Sequence, residues 1–229
     1  MAEPVLNRAS GRGKFISFEG GEGSGKSTQI KKLAERLTTT KLRTIVTREP
    51  GGSPGAEIIR HLVLSGMGKL LGPDAETLLF AAARDDHVRT VIQPALSQGT
   101  WVLCDRFSDS TRAYQGRLGK VAPGLLNAMQ RVTIGDLKPD LTIILDIPVD
   151  VGMKRAASRR GNGVPDRFEA EDVKFHEDLR EAYKQIAAED PQRCVLVDAD
   201  ADTEIVAEHI WQALRDHLFA TPAVTASPA

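Results

Sequence analysis

The sequence predicts an α/β fold in three layers, a five-stranded parallel sheet flanked by helices, with a short mobile lid beyond the fourth strand. Three observations carry this. Five short runs, Lys14–Glu19, Arg43–Arg48, Thr100–Asp105, Leu141–Asp146 and Cys194–Asp198, are separated by longer segments with helical spacing. Most are nearly continuous apolar stretches, such as Val102-Leu103-Cys104 and Ile143-Ile144-Leu145, as strands buried on both faces are. A chain of 229 residues, 41% apolar and 27% charged, suits one soluble domain spanning 1–229.

The first run leads into Gly20-Gly21-Glu22-Gly23-Ser24-Gly25-Lys26-Ser27-Thr28, and Ile30, Leu33, Ala34 and Leu37 follow at helical spacing. Strand, glycine loop and helix in that order give G-x-x-x-x-G-K-[ST] the setting of a phosphate-binding loop. Glycines let successive N–H groups turn inward onto a polyphosphate, and the helix adds its positive N-terminal end. Lys26 reaches the outer phosphates, and the Ser27 hydroxyl can ligate Mg²⁺. A nucleoside triphosphate therefore binds here, and the fold class is that of the P-loop NTPases.

The second run ends in Thr47-Arg48-Glu49-Pro50-Gly51-Gly52, where proline and paired glycines fix a turn. Asp74 to Leu96 reads as a long helical region with Leu78, Leu79, Ala82, Ala83, Val88, Val91 and Ile92 as its buried stripe. Phe80 and Arg84 lie one turn apart on one face. Phe80 reads either as core or, with Arg84, as a base-stacking platform. The third run closes on Asp105, followed by Arg106 and the polar Ser110, Thr111, Tyr114 and Gln115. Asp105 either caps the next helix or helps to hold Mg²⁺, and its polar neighbours favour a site.

After the fourth run, residues 152–168 are basic and glycine-punctuated, with Lys154, Arg155, Arg159 and Arg160 before Gly161. This reads as a cationic lid or as a solvated face. Thr203 to Leu218 forms the closing helix, with Ile205, Val206, Ile210, Ala213 and Leu214 as its stripe. Residues 1–12 and 220–229 read as disordered tails. Glu19, Arg48, Asp105 and Asp146 end four of the runs, so polar chemistry gathers on the sheet edge where α/β folds bind ligands.

Composition excludes other classes. A net charge of −1 offers no electrostatic footprint for nucleic acid or a membrane surface. No apolar run nears the roughly 18 residues of a membrane span. Cys104 and Cys194 read as reduced core residues of a cytoplasmic protein. The guanine-reading N-K-x-D is absent, because none of Asn7, Asn127 and Asn162 precedes a lysine. None of the five histidines is assigned a role. Separate cations around one sheet edge favour phosphoryl transfer between two phosphorylated molecules, whose repulsion they offset. A phosphate monoester, with a second pKa of about 6, is already mostly dianionic and needs no general base.

Phe18 to Thr28, Arg48-Glu49-Pro50-Gly51-Gly52, Asp105-Arg106, Ala113-Tyr114-Gln115-Gly116 and the basic lid together resemble the bacterial thymidylate kinases, from about Lys14 to Leu214. The resemblance implies ATP- and Mg²⁺-dependent conversion of dTMP to dTDP by a homodimer. Glu22 would hold the sugar 3′-hydroxyl, Arg106 the acceptor phosphate, and Asp105 the metal shell with Ser27. Phe80 would stack on thymine while Arg84 donates to a ring oxygen. Thr111 with Gln115 would read the ring N–H, and Tyr114 would crowd the 2′ position. Arg48 would join the substrate contacts, and Pro50 would shape the acceptor pocket through a cis Glu49–Pro50 bond. One branch of the family carries an arginine in the phosphate loop. Ser24 and its neighbours resemble the other branch, in which a lid arginine (Arg155, Arg159 or Arg160) approaches the transferred group. A kinase for another nucleoside monophosphate, or a P-loop regulatory switch, are the alternative readings.

Overall fold

The computed structural model describes residues 11–161 and 163–219, so residues 1–10 of the expected tail at 1–12, and all of that at 220–229, lie outside the described residues. Five parallel strands, β1 (Phe15–Gly20), β2 (Thr44–Arg48), β3 (Trp101–Asp105), β4 (Leu141–Asp146) and β5 (Cys194–Asp198), form one sheet in the order β2-β3-β1-β4-β5. Each strand lies within a residue of the run that predicts it. With β1 central, Phe18 pairs with Asp105 of β3 and Ile143 of β4, which brings the phosphate loop and Asp105 to the same carboxyl edge.

Helices α1 (Lys26–Thr39) and α9 (Thr203–Leu218) cover one face. Leu33 and Leu37 meet Ile16, Phe18 and Leu103 there, with Val206, Ile210, Trp211 and Leu214 from α9. Ile205, expected in that stripe, is half exposed. On the other face, Leu179, Tyr183 and Ile186 of α8 (Val173–Glu189) pack on Ile144.

Helix α2 (Pro54–Leu64) packs on α3 (Pro73–His87), which runs through one widened π turn, Val88–Ile92, into α4 (Gln93–Ser97). Pro94 lacks the N–H that would bond the Thr90 carbonyl, and a widened turn accommodates the missing link. The long helix is therefore as expected, but its stripe is not. Ala83, Val88 and Ile92 are buried, Leu78 and Ala82 are exposed, and Leu79 and Val91 are intermediate. The inner face instead carries Thr77, Ala81, Arg84 and His87, because this helix walls a polar cleft rather than an apolar core. Short α5 (Ser108–Thr111), α6 (Pro123–Thr133) and α7 (Val149–Arg160) complete the layers. Cys104 and Cys194 are buried and unpaired.

Candidate active site

A cleft of about 430 Å³ opens at the carboxyl edge of β1, β2 and β3. It is lined by Glu22 to Thr28, Arg48, Pro50, Phe80, Arg84, Asp105, Arg106, Thr111, Tyr114, Gln115 and Arg159, all of them sequence-predicted.

The loop at its base depends on glycine. Gly23 has φ 67°, and a Cβ there would stand 2.0 Å from the Gly152 carbonyl oxygen, so the loop lies directly on the start of α7. Gly20 and Gly21 do not line the cleft. Their carbonyls accept from Lys26 Nζ at 3.1 and 2.9 Å and hold the lysine in place. Burial, and then the nearby Arg106 cation, pull the Lys26 ammonium down to about 8. Ser27 Oγ donates to Asp105 Oδ2 at 3.0 Å. Two hard oxygen donors thus converge at the rim, which fits Mg²⁺, an ion that takes one or two protein ligands and completes its shell with phosphates and water.

Arg106 stands in the left-handed region at φ 68°, which non-glycine residues seldom occupy. Its Nη2 donates to Glu22 Oε1 at 2.7 Å, and its Nη1 donates to the Gly20 carbonyl and to Tyr183 Oη, each at 3.1 Å. Burial raises the Glu22 carboxyl, but Arg106, Lys26 and Arg159 outweigh it and hold the group below its ordinary value. Behind Arg106, the fully buried Glu19 accepts from Phe107 N–H and from Ser110 Oγ. Burial first, and Asp109 second, push the Glu19 carboxyl up to about 7.

Phe80 is only partly buried and faces the cleft, which decides against the core reading. Arg84 is fixed by three bonds. Nε donates to Glu49 Oε2 at 2.6 Å, Nη1 to Thr111 Oγ1 at 3.0 Å and Nη2 to the Phe107 carbonyl at 3.1 Å. The Glu49–Pro50 peptide is cis. Arg48 pairs with Glu57 at the open end.

Only Arg159 of the three lid arginines lines the cleft. Arg155, one turn earlier on α7, donates to the Ala199 carbonyl at 3.1 Å and lies 3.8 Å from Asp200, beyond β5. Arg160 sits about 100° round the helix from Arg159 and does not line the cleft itself, but donates to Oε2 of Glu169, which does, at 2.8 Å. Asp146, at the end of β4, is engaged by Arg180 at 2.6 and 2.8 Å and stands outside the site.

Several participants escaped the sequence reading. Arg60 lines the cleft and donates to the Pro50 carbonyl at 2.7 Å. Asp166, Phe168 and Glu169 close it from the lid side, where Phe168 meets Tyr114 edge-on with centroids 5.0 Å apart. His87, left without a role, is fully buried with Nδ1 3.0 Å from Glu49 Oε1 and Nε2 2.6 Å from Thr47 Oγ1. Its spacing of three from Arg84 was the available signal.

A family model described as thymidylate kinase matches residues 18–210. A protein of Bradyrhizobium diazoefficiens named thymidylate kinase is 72% identical over 99% of this chain and 100% of its own. Two more of that name, from Nitrobacter winogradskyi and Nitrobacter hamburgensis, are 72% identical over 98% of each chain and 75% identical over 93% of each chain.

Proposed function

The chain belongs to the thymidylate kinase family, and on that premise we infer that it phosphorylates dTMP to dTDP with ATP as donor. The observation that carries this reading is the continuity of one cleft from the phosphate loop, past Arg106, to the slot between Phe80, Arg84, Thr111 and Gln115. A phosphoryl donor fits one end and a pyrimidine the other, with the acceptor phosphate between them.

Two unit charges 4 Å apart repel by about 4 kcal/mol at an effective dielectric of 20, so two anionic nucleotides meet only where cations intervene. Lys26 holds the donor's outer phosphates, and Arg106 clamps the acceptor phosphate. Glu22, already bonded to Arg106, keeps one carboxylate oxygen for the sugar 3′-hydroxyl. Mg²⁺, when bound beside Ser27 and Asp105, neutralises charge on the donor oxygens. Phe80 stacks on the ring and Arg84 donates to its oxygen. Thr111 Oγ1, which accepts from Arg84 Nη1, keeps a second lone pair for the ring N–H. Tyr114 crowds the 2′ position, and Arg48 and Pro50 shape the acceptor end. Arg159 approaches the transferred group from the lid. With the acceptor already dianionic, the catalysis is positioning and charge stabilisation.

Residues 1–229 act as one unit, with 152–168 as the lid, in the cytoplasm. Exposed Ile58 on α2 and Leu78 on α3, helices that pack together, support a homodimer. A coupled ADP-release assay tests the reading. Turnover is expected with dTMP, weakly with dUMP and negligibly with AMP or GMP, and selective turnover of a purine monophosphate overturns it.

A further inference from the structure

We propose that Glu19 is a positioning residue that aims Arg106 at the acceptor phosphate, acting through the hydroxyls of Ser110 and Tyr183; this rests on the role of Arg106 given above. Glu19 is fully buried at the end of β1. Its Oε1 accepts from the Phe107 N–H at 2.8 Å. Its Oε2 accepts from Ser110 Oγ at 2.6 Å and from Tyr183 Oη at 3.1 Å. Arg106 Nη1 donates to those same two hydroxyl oxygens, at 3.1 Å to Tyr183 and 3.4 Å to Ser110. The Phe107 N–H follows directly on the left-handed Arg106, so one carboxylate holds both the backbone turn that presents the guanidinium and the hydroxyls it leans on.

Counting protons shows why the charge matters. Each hydroxyl has one hydrogen. When Glu19 is ionised, both hydrogens turn to Oε2, and both hydroxyls offer lone pairs to Arg106. When Glu19 is protonated, its own hydrogen must go to one of the hydroxyls. Ser110 Oγ and Tyr183 Oη lie 2.9 Å apart, so three protons then circulate among three oxygens. Each hydroxyl then spends one of its two lone pairs within that ring, and the anion facing Arg106 is gone.

The charged and titratable groups around Glu19 are Asp109 on α5, Arg106 after β3, Lys26 on α1, Tyr183 on α8, Cys104 on β3 and Tyr114 after α5. Asp109 favours the protonated form and Arg106 the ionised one. The change of state at about 7 falls inside the working range, and the aimed form is the ionised one, at higher pH.

The test compares the full-length wild-type enzyme with Glu19→Gln, measuring kcat/KM for dTMP at saturating ATP between about pH 5.5 and 9. The ratio of wild type to variant cancels the ionisation of dTMP itself. We expect that ratio to rise with pH through about 7 to a plateau of about 10–100, the range typical of lost supporting contacts. KM for ATP should change by less than about twofold. Tyr183→Phe, which removes one of the two intermediary hydroxyls, should reproduce the trend more weakly and carries the test if the glutamine variant does not fold. A ratio that is flat with pH for both variants overturns the proposal. Failure of the wild type to phosphorylate dTMP at any pH would instead overturn the functional reading.

Discussion

Arg84 Nε donates to Glu49 Oε2 at 2.6 Å, and both side chains are more than nine-tenths buried. The other Glu49 oxygen faces His87 Nδ1 at 3.0 Å. This carboxylate therefore sets the plane of the Arg84 guanidinium, the group proposed to meet the base.

Removing one member of a buried ion pair leaves an uncompensated charge and typically costs about 3–5 kcal/mol. Glu49→Ala should lose that much stability in urea unfolding. Its KM for dTMP should rise with little change in KM for ATP, because Arg84 lies at the acceptor end. His87→Gln should show the same pattern more weakly. Equal changes in both KM values would contradict the assignment.

Lys26 supplies a pH limb of its own. Burial holds its ammonium at about 8, below the usual lysine range, so the free enzyme carries the charge below pH 8 and loses it above. kcat/KM for ATP should accordingly fall as pH rises through about 8. Lys26→Met should abolish that limb and lower kcat by about 10²–10³-fold, as removal of one transition-state donor does. Circular dichroism should stay unchanged.

The strands, the phosphate loop, Ser27 and Asp105 were legible because each is local. An apolar run, a glycine spacing and a strand-end carboxylate are all read within about ten residues. The stripe of α3 was not, because periodicity marks which residues are apolar and not which side of a helix faces a polar cleft. Leu78, expected in the buried stripe, is exposed for that reason, while Arg84 faces the cleft. Glu19, His87 and Tyr183 were illegible for a different reason. Their roles rest on contacts across 38 to 164 positions of sequence, which no local pattern carries.

Arg155, Arg159 and Arg160 offered three equivalent sources of a lid cation, and α7 separates them. Arg159 alone borders the cleft, and its charge contributes to holding Glu22 ionised. Arg159→Ala should lower kcat by about 10²-fold or more with a smaller effect on either KM. Arg155→Ala should fall well short of that, since its guanidinium serves the turn after β5. Steady-state kinetics of the three single alanine variants decide the point. A larger kcat loss at Arg155 than at Arg159 would reverse the assignment.

The segment from Asp166 to Glu171 is tied to α3 and the turn before it by two ion pairs. Arg167 pairs with Glu76 at the start of α3, with both side chains largely buried, and Lys69 pairs with Glu171 at 2.7 Å. The first pair should dominate, because exposed pairs contribute about 0–1 kcal/mol whereas breaking a buried one leaves a stranded charge. Arg167 is the more sensitive member, since its Nε already lacks a partner among the described residues. Glu76→Gln should therefore loosen the segment from Asp166 to Glu171 without unfolding the sheet. Hydrogen exchange of the Phe168 and Glu169 amides, which both donate to Asp166 Oδ1, reports on this directly. Their exchange should quicken by at least about tenfold, a loss of about 1.4 kcal/mol of local protection, while amides of β1 and β4 keep their rates. Glu169, bonded to Arg159 and Arg160, sits in the same segment, so a loosened latch should also lower kcat. Unchanged exchange at Phe168 and Glu169 would mean that Phe168 packing on Tyr114, rather than the Glu76–Arg167 pair, holds the lid.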